Sequence, residues 1–319
     1  MQKVIIEKND DGQRLDRFLK KLLPKAPKNL IYKSLRKKNI VVNGKKKEPH
    51  IILKTGDEIK IFFSDETIKK FSKSLQEMKS NWPQILYEDN NILLMVKPGN
   101  ILTHGRGNPK EDDMVKKLIS YLQDTNQYHP RKEHSFTPAV CNRLDRNTSG
   151  ILIGAKNAEA LREINTLIAE RKVIKKYLAL VHGNFQFRGL CKDYLSKDED
   201  KNKVFLGSDG KEILTEFQPL LQNKDFSLVE VHLITGRTHQ IRSQCAALGH
   251  PILGDKKYGK GKRDDFPRQW LHNHFLGFQE MDRYKNLSNK TFYAKPPKLL
   301  EEELIKKFGG KGYDILSRY

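Results

Sequence analysis

Residues 65–83 are polar, rich in Lys and Ser, and close on Trp82-Pro83 with only weak apolar periodicity. A segment without a continuous apolar face cannot bury itself, so it divides the chain into two folding units. At 319 residues the chain is also longer than an average domain, which points the same way. We place a small module at residues 1–66, a linker at 67–83 and a larger domain at 84–319.

Charge is unevenly shared between these units. Positions 1–70 hold 19 Lys or Arg and 9 Asp or Glu, a net +10, against a formal +21 for the whole chain. Such an excess, with a pI near 9.7, calls for a polyanionic partner, although on charge alone a solvated lysine-rich surface accounts for it as well. Hydrophobic residues at 37% are enough for a packed core, but no window approaches the roughly 18 apolar residues of a membrane span. The start, Met1-Gln2-Lys3-Val4-Ile5-Ile6-Glu7, lacks the apolar centre of a signal peptide, so a soluble, cytoplasmic protein is expected. Cys141, Cys191 and Cys245 are too scattered for a Cys-x-x-Cys zinc pair or a disulfide framework and read as reduced thiols.

In the module, Leu15, Phe18, Leu19 and Leu22 fall at helical spacing before Pro24, and a second helix is expected over 28–38 with Leu30, Ile31 and Leu35 inward and Lys33, Arg36, Lys37 and Lys38 outward. Ile40-Val41-Val42 then runs into Asn43-Gly44, a tight-turn pair followed by Lys45, Lys46 and Lys47, and a last strand follows Gly56-Asp57. In the larger domain, strands are expected at 85–87, 92–96, 150–155, 175–182, 213–220 and 226–233, and helices at 112–123, 158–170 and 239–248. The fold class is therefore α+β: a mixed, mainly antiparallel sheet beside a small α+β N-terminal unit. Residues 256–263 read as a basic loop.

Chemistry concentrates at Cys141-Asn142-Arg143-Leu144-Asp145-Arg146-Asn147-Thr148-Ser149-Gly150, a polar loop feeding the apolar strand Ile151-Leu152-Ile153. A loop anchored to a strand can hold a carboxylate at the edge of a rigid sheet. Arg143 and Arg146 flank Asp145, and as residues alone the three fit a structural ion pair as well as a catalytic site. Tyr177 likewise fits a core tyrosine on a strand. His272 and His274 lack a third metal ligand in sequence, and no metal is expected.

Two resemblances add to this. Arg14-Leu15-Asp16-Arg17-Phe18-Leu19, Val42-Asn43-Gly44 and Gly56-Asp57 resemble the small RNA-binding module found in ribosomal small-subunit protein four. That resemblance makes Arg14, Arg17, Lys33, Arg36, Lys37, Lys38, Lys45 and Lys46 candidates for RNA phosphates. The Asp145 loop resembles the signature Arg-Leu-Asp-x-x-Thr-Ser-Gly of the RluA-type pseudouridine synthases, with Asn142 standing where many relatives have histidine. Lys97-Pro98-Gly99 with His104-Gly105, the stretch Ile174 to Gly183, Ile234 to Arg242 continuing through Asp255 and Tyr258, and Leu271 to His274 resemble that family's other motifs in order, Gly99, Asn100 and Asn273 departing from the usual residues. Within the family the chain looks most like the RluC/RluD branch that modifies large-subunit ribosomal RNA.

The resemblance implies an isomerase that converts uridine in RNA to pseudouridine, with Asp145 as the essential carboxylate, Arg237 pairing with it and Tyr177 in the active site. It implies substrate contacts from Arg143, Arg146, Thr148, His239, Ile241 and Arg242, with Ile241 lining the uracil pocket and the helix end near Thr238 available to a phosphate. A carboxylate suits covalent attack on sugar or base and removal of a sugar proton alike, and these routes stay open. On this reading Arg237→Lys is damaging, because a guanidinium orients a carboxylate better than an ammonium. Reaching a stacked uridine requires flipping the base out. RNA is the expected partner, no cofactor is implied and a monomer is expected. A non-catalytic RNA-binding or ribosome-assembly protein of the same fold is the alternative, against which Asp145, Tyr177 and Arg237 stand intact; a methyltransferase or hydrolase finds no motif.

Overall fold

The computed structural model describes residues 1–72, 80–105, 111–130, 133–198, 203–207, 209–259, 265–281 and 283–318. Much of the expected linker (73–79) and the second half of the expected basic loop (260–263) lie outside the described residues.

The N-terminal unit runs β1 (Gln2–Ile5), α1 (Leu15–Leu22), α2 (Lys28–Arg36), β2 (Ile40–Val42), β3 (Glu58–Ile61) and α3 (Asp65–Phe71). Its three strands form an antiparallel sheet in the order β1-β3-β2. Both helices lay their apolar stripes on it, and Leu15, Phe18, Leu19, Ile31, Leu35, Ile40, Ile59 and Ile61 make its core. Asn43 and Gly44 take the positive φ angles of 51° and 70° that a two-residue turn needs; Val42 and Lys45 close that turn with a single antiparallel bridge, while β2 pairs along its length with β3. One element was not anticipated and one boundary needs correction. Gln2–Ile5 is a strand, and residues 65–71, partly assigned to the linker, form a helix capped by Ser64, whose hydroxyl accepts from the Thr67 N–H. Phe71 packs onto the N-terminal core, so the unit reaches past residue 66.

The larger domain runs β4 (Gln84–Glu88), β5 (Ile92–Lys97), α4 (Met114–Asp124), β6 (Ala139–Val140), β7 (Ser149–Ala155), α5 (Ala158–Ala169), β8 (Val173–His182), β9 (Gly189–Asp198), β10 (Lys203–Leu206), β11 (Lys211–Gln222), β12 (Phe226–Leu233), α6 (Gln240–Ala247), β13 (Leu271–Phe278), β14 (Thr291–Tyr293), α7 (Lys298–Phe308) and α8 (Gly310–Leu316). Among the described residues its strands join in one eleven-stranded sheet whose main path is β10-β9-β11-β12-β8-β13-β7-β5-β4. Every pairing is antiparallel except β13 with β7, so the mixed, mainly antiparallel α+β architecture is as expected. Apolar side chains cover both faces, with α4 on Leu93, Met95 and Leu152, and α5 on Ile92, Leu94, Ile151 and Ile153.

The parallel join between β7 and β13 decides where the site sits. Gly150 has φ +128°, and a Cβ there would stand 2.3 Å from the Asn273 carbonyl oxygen, so glycine alone lets the strands approach. The polar loop 142–148 therefore ends at the middle of the sheet, beside β8 across β13. The N-terminal unit is tied to this domain by Asn9, which donates to Glu133 at 2.9 Å and accepts from the Ala158 N–H at 3.1 Å, and by Gln13 donating to Ser135 at 2.8 Å.

Candidate active site

Loop 142–148 is fixed from beneath before any of its side chains is considered. Lys97, at the end of β5 and fully buried, donates to the carbonyls of Pro98, Arg146 and Thr148 at 2.9, 2.8 and 2.7 Å. Thr103 accepts from the Leu144 N–H and donates to the Leu144 carbonyl. Asn142 bridges the loop's two ends, accepting from the Ile153 N–H and donating to the Ile151 carbonyl. Arg268 and Gln269 close the far side through the Asn147 carbonyl and the Thr148 hydroxyl. Every main-chain acceptor in such a loop needs a donor once buried, and this set turns Asp145 outward with a quarter of its side chain exposed.

Facing Asp145 is Arg242, one turn into α6, whose Nη1 donates to the carboxylate at 2.7 Å. The same guanidinium grips fully buried Asp255 through two further bonds of 2.7 and 2.9 Å and lies over the Tyr258 ring, 5.2 Å from its centre. Burial works against the cation, but Asp255 and Asp145 outweigh it and raise the Arg242 pKa. Burial likewise pushes Asp255 up, and the bonds from Arg242 and from the Lys257 and Tyr258 N–H groups bring it below the usual carboxylate range. A fork held on two carboxylates has little freedom left, so Arg242 fixes the direction of Asp145.

This corrects the pairing expected for Arg237. That residue precedes α6 and is exposed; its backbone N–H donates to the Gln240 side chain at 3.0 Å and its carbonyl accepts from the Gln240 N–H at 3.2 Å. The helix starts at Gln240, and this start turns the second arginine of the motif toward the carboxylate and leaves the first in solvent. His239, in the left-handed conformation at φ 56°, sets its Nε2 3.8 Å from Asp145 and its Nδ1 3.0 Å from the Tyr258 hydroxyl. Burial lowers the His239 pKa, against the pull of Asp145. Tyr177 is 5% exposed, and burial first, then the nearby Asp145 charge, raise its phenol well above the usual value. Ile241 is buried alongside.

The sequence pattern of the family described as RNA pseudouridylate synthase matches residues 91–247, from the second strand of the larger domain to the end of α6. The ribosomal large subunit pseudouridine synthase C of Buchnera aphidicola subsp. Baizongia pistaciae is 35% identical over 298 residues, 88% of this chain and 90% of that one. The protein of that name from Escherichia coli K12 is 35% identical over 270 residues, 82% and 81% of the two chains. The chain belongs to the RNA pseudouridine synthase family. Among solved structures, human RNA pseudouridylate synthase domain containing 4 matches 69% of this chain and 91% of its own with a TM-score of 0.56 at 22% identity, a likeness of fold.

Other candidates in this pseudouridine synthase fall into two groups. Thr148 is buried and structural in its contacts, whereas Arg143 is exposed and Arg146 is exposed with a 3.2 Å contact to Glu111. On the N-terminal unit, Lys33, Arg36 and Lys46 line a groove of about 570 Å³ between α2 and the loop after β2, together with Lys47 and Tyr32. Arg17, Lys37, Lys38 and Lys45 stand exposed around it. Arg14 is engaged internally: it forks onto Asp16 at 3.1 and 2.8 Å and holds that carboxyl down to about 2. The residues that sequence reasoning missed are those supporting the site, namely Lys97, Thr103, Asp255, Tyr258 and Arg268. All but Thr103 and Arg268 lay within quoted motifs, but their roles depend on contacts between distant segments. Among the described residues no helix is long and apolar enough to cross a membrane, and no three His, Cys, Asp or Glu gather as metal ligands.

Proposed function

We propose that this enzyme isomerises uridines of large-subunit ribosomal RNA, with Asp145 as the catalytic carboxylate acting on a nucleotide flipped out of the RNA. The observation that carries this reading is the pairing of a part-exposed carboxylate with a buried guanidinium at 2.7 Å beside the buried Tyr177. Structural ion pairs are not usually left with one oxygen open beside an aromatic ring; a group that must meet a ribose is. The Tyr177 ring packs against the extruded uracil and Ile241 keeps water from it. The high phenol pKa leaves Tyr177 protonated, so it acts through its ring and as a hydrogen-bond donor or acceptor. Similarity to the two synthases of the large ribosomal subunit supports the substrate. The groove bearing Lys33, Arg36 and Lys46 supplies fixed positive charge for the phosphates of a folded RNA.

The test is tritium release from ribosomal RNA labelled at uridine C5. Wild-type protein should release tritium and Asp145→Ala should not; turnover by Asp145→Ala at the wild-type rate refutes the assignment. Mapping pseudouridines in total RNA with and without the gene names the substrate, and losses confined to transfer RNA would overturn the ribosomal reading.

A further inference from the structure

One cation near this site has no role in the mechanism so far. Lys175 lies on β8 two residues before Tyr177, on the same strand face and about 7 Å from it by strand geometry. It is 8% exposed, and among the described residues its ammonium has neither a hydrogen-bond nor an ion-pair partner. Its Nζ lies 3.9 Å from where a Cβ of Gly236 would stand, in the loop that leads to His239 and Arg242. Burial alone lowers its pKa, with no carboxylate to restore it. Lys97, fully buried, has three carbonyls to offset the cost; Lys175 has none. A lone ammonium at that depth costs stability unless something outside the chain meets it.

The order along β8 says what that is. The Asp145 charge reaches the buried Tyr177, and Lys175 follows on the same face of β8, two residues back along the strand. With the sugar at Asp145 and the uracil on the Tyr177 ring, a base carbonyl directed along β8 would meet Lys175. The geometry points to Lys175 as a second catalytic residue, whose ammonium donates to a carbonyl oxygen of the uracil and stabilises the anion that forms when the base leaves the sugar. This rests on the reading of Asp145 given above. Heterolysis of the C1′–N1 bond sends the electron pair to the base, where the charge spreads over O2 and O4. The pair returns when C5 bonds to C1′; C5 gives up its proton, N1 takes one, and Lys175 ends the cycle as the ammonium it began. A fixed, largely buried charge aimed at a developing anion is worth more in the transition state than in the ground state.

Lys175→Met and Lys175→Arg test it, with single-turnover tritium release, RNA affinity and thermal stability measured on the full chain. Lys175→Met should lose about 100- to 1,000-fold in rate with RNA affinity unchanged. It should also melt at a higher temperature, because an unpaired buried charge has been replaced by an apolar chain of similar length. Lys175→Arg should recover part of the rate. A wild-type rate in Lys175→Met overturns the proposal, as does a rate loss accompanied by lower stability, which marks a structural residue. Weaker RNA binding with a shallower salt dependence and a normal rate at saturation also overturns it, assigning the ammonium to a phosphate. Asp145→Asn serves as the control: its activity would sink the underlying reading, whereas an inactive Asp145→Asn beside a fully active Lys175→Met sinks only the role of Lys175.

Discussion

On the N-terminal unit Lys33, Arg36, Lys37, Lys38, Lys45 and Lys46 stand in solvent, whereas in the larger domain Lys97 and Arg242 are buried and bind groups of the loop and the site, Lys97 holding its neighbour Pro98 as well. The difference separates two uses of one kind of charge. Exposed cations add affinity that salt screens and that depends on their number more than their exact position. Buried cations add little net stability but fix geometry to a fraction of an ångström, and their loss leaves unpaired partners behind. If this is right, substitutions in the two regions fail in different measurements: rate in the larger domain, salt-dependent binding in the N-terminal unit.

The strongest test of the contrast is Asp145→Asn, which keeps the shape and removes the charge. We expect a loss on the order of 10³- to 10⁴-fold in single-turnover tritium release, with RNA affinity unchanged; a rate within tenfold of wild type breaks the assignment. Next comes Lys97→Met, which deprives three carbonyls of their donor. Loosening the loop by about an ångström should cost about 100-fold in rate, again without loss of RNA binding. Burial and then Arg268 push the Lys97 ammonium down to about 7. The charged form is thus held below that pH and lost as pH rises through it, and a neutral amine has too few protons for three carbonyls. Wild-type rate should therefore decline on the alkaline side, and a pH profile of Lys97→Met without that limb would show that the limb belongs to this residue.

How much of this was legible beforehand follows the same division. The Asp145 loop could be read because its residues are contiguous and end on an apolar strand. The exposed lysines of α2 could be read because helical spacing leaves them outside. The choice between Arg237 and Arg242 could not, since both lie in one motif and only the start of α6 at Gln240 decides which meets the carboxylate. Strand β13 was missed because its first half buries His272, Asn273 and His274, polar residues that burial tolerates only through partners elsewhere: His272 bonds to Ser149 and to the Ala294 carbonyl. Strand β9 carries Lys192 and Asp193 toward the edge of the sheet and shows no clean alternation. Helix α3 did leave a local signal, the Ser64 cap, inside a stretch too polar to look ordered.

Arg242→Lys sharpens the comparison from the buried side. An ammonium cannot span Asp255 and Asp145 with the geometry of a fork. One charge-assisted bond should be lost, on the order of tenfold to a hundredfold in rate; an unchanged kcat would mean that Arg242 serves stability alone. From the exposed side, replacing Lys33, Arg36 and Lys46 together by Gln should leave the rate at saturating RNA untouched. The logarithmic salt dependence of binding should become shallower by about two to three, close to one for each phosphate contact. A steepness equal to wild type would remove the groove from the RNA interface.

The smallest effect is expected at Arg237, and it is the most exact test of which arginine matters. Family resemblance alone made Arg237→Lys damaging. The structure leaves its side chain in solvent, clear of the Asp145–Arg242–Asp255 chain of bonds, so the substitution should change the single-turnover rate by no more than about twofold, as surface replacements do. The ratio of the two variants carries the information. If Arg242→Lys is slow and Arg237→Lys is not, the carboxylate is steadied by the arginine within α6; if the order reverses, binding of RNA must draw the preceding loop inward and exchange one guanidinium for the other.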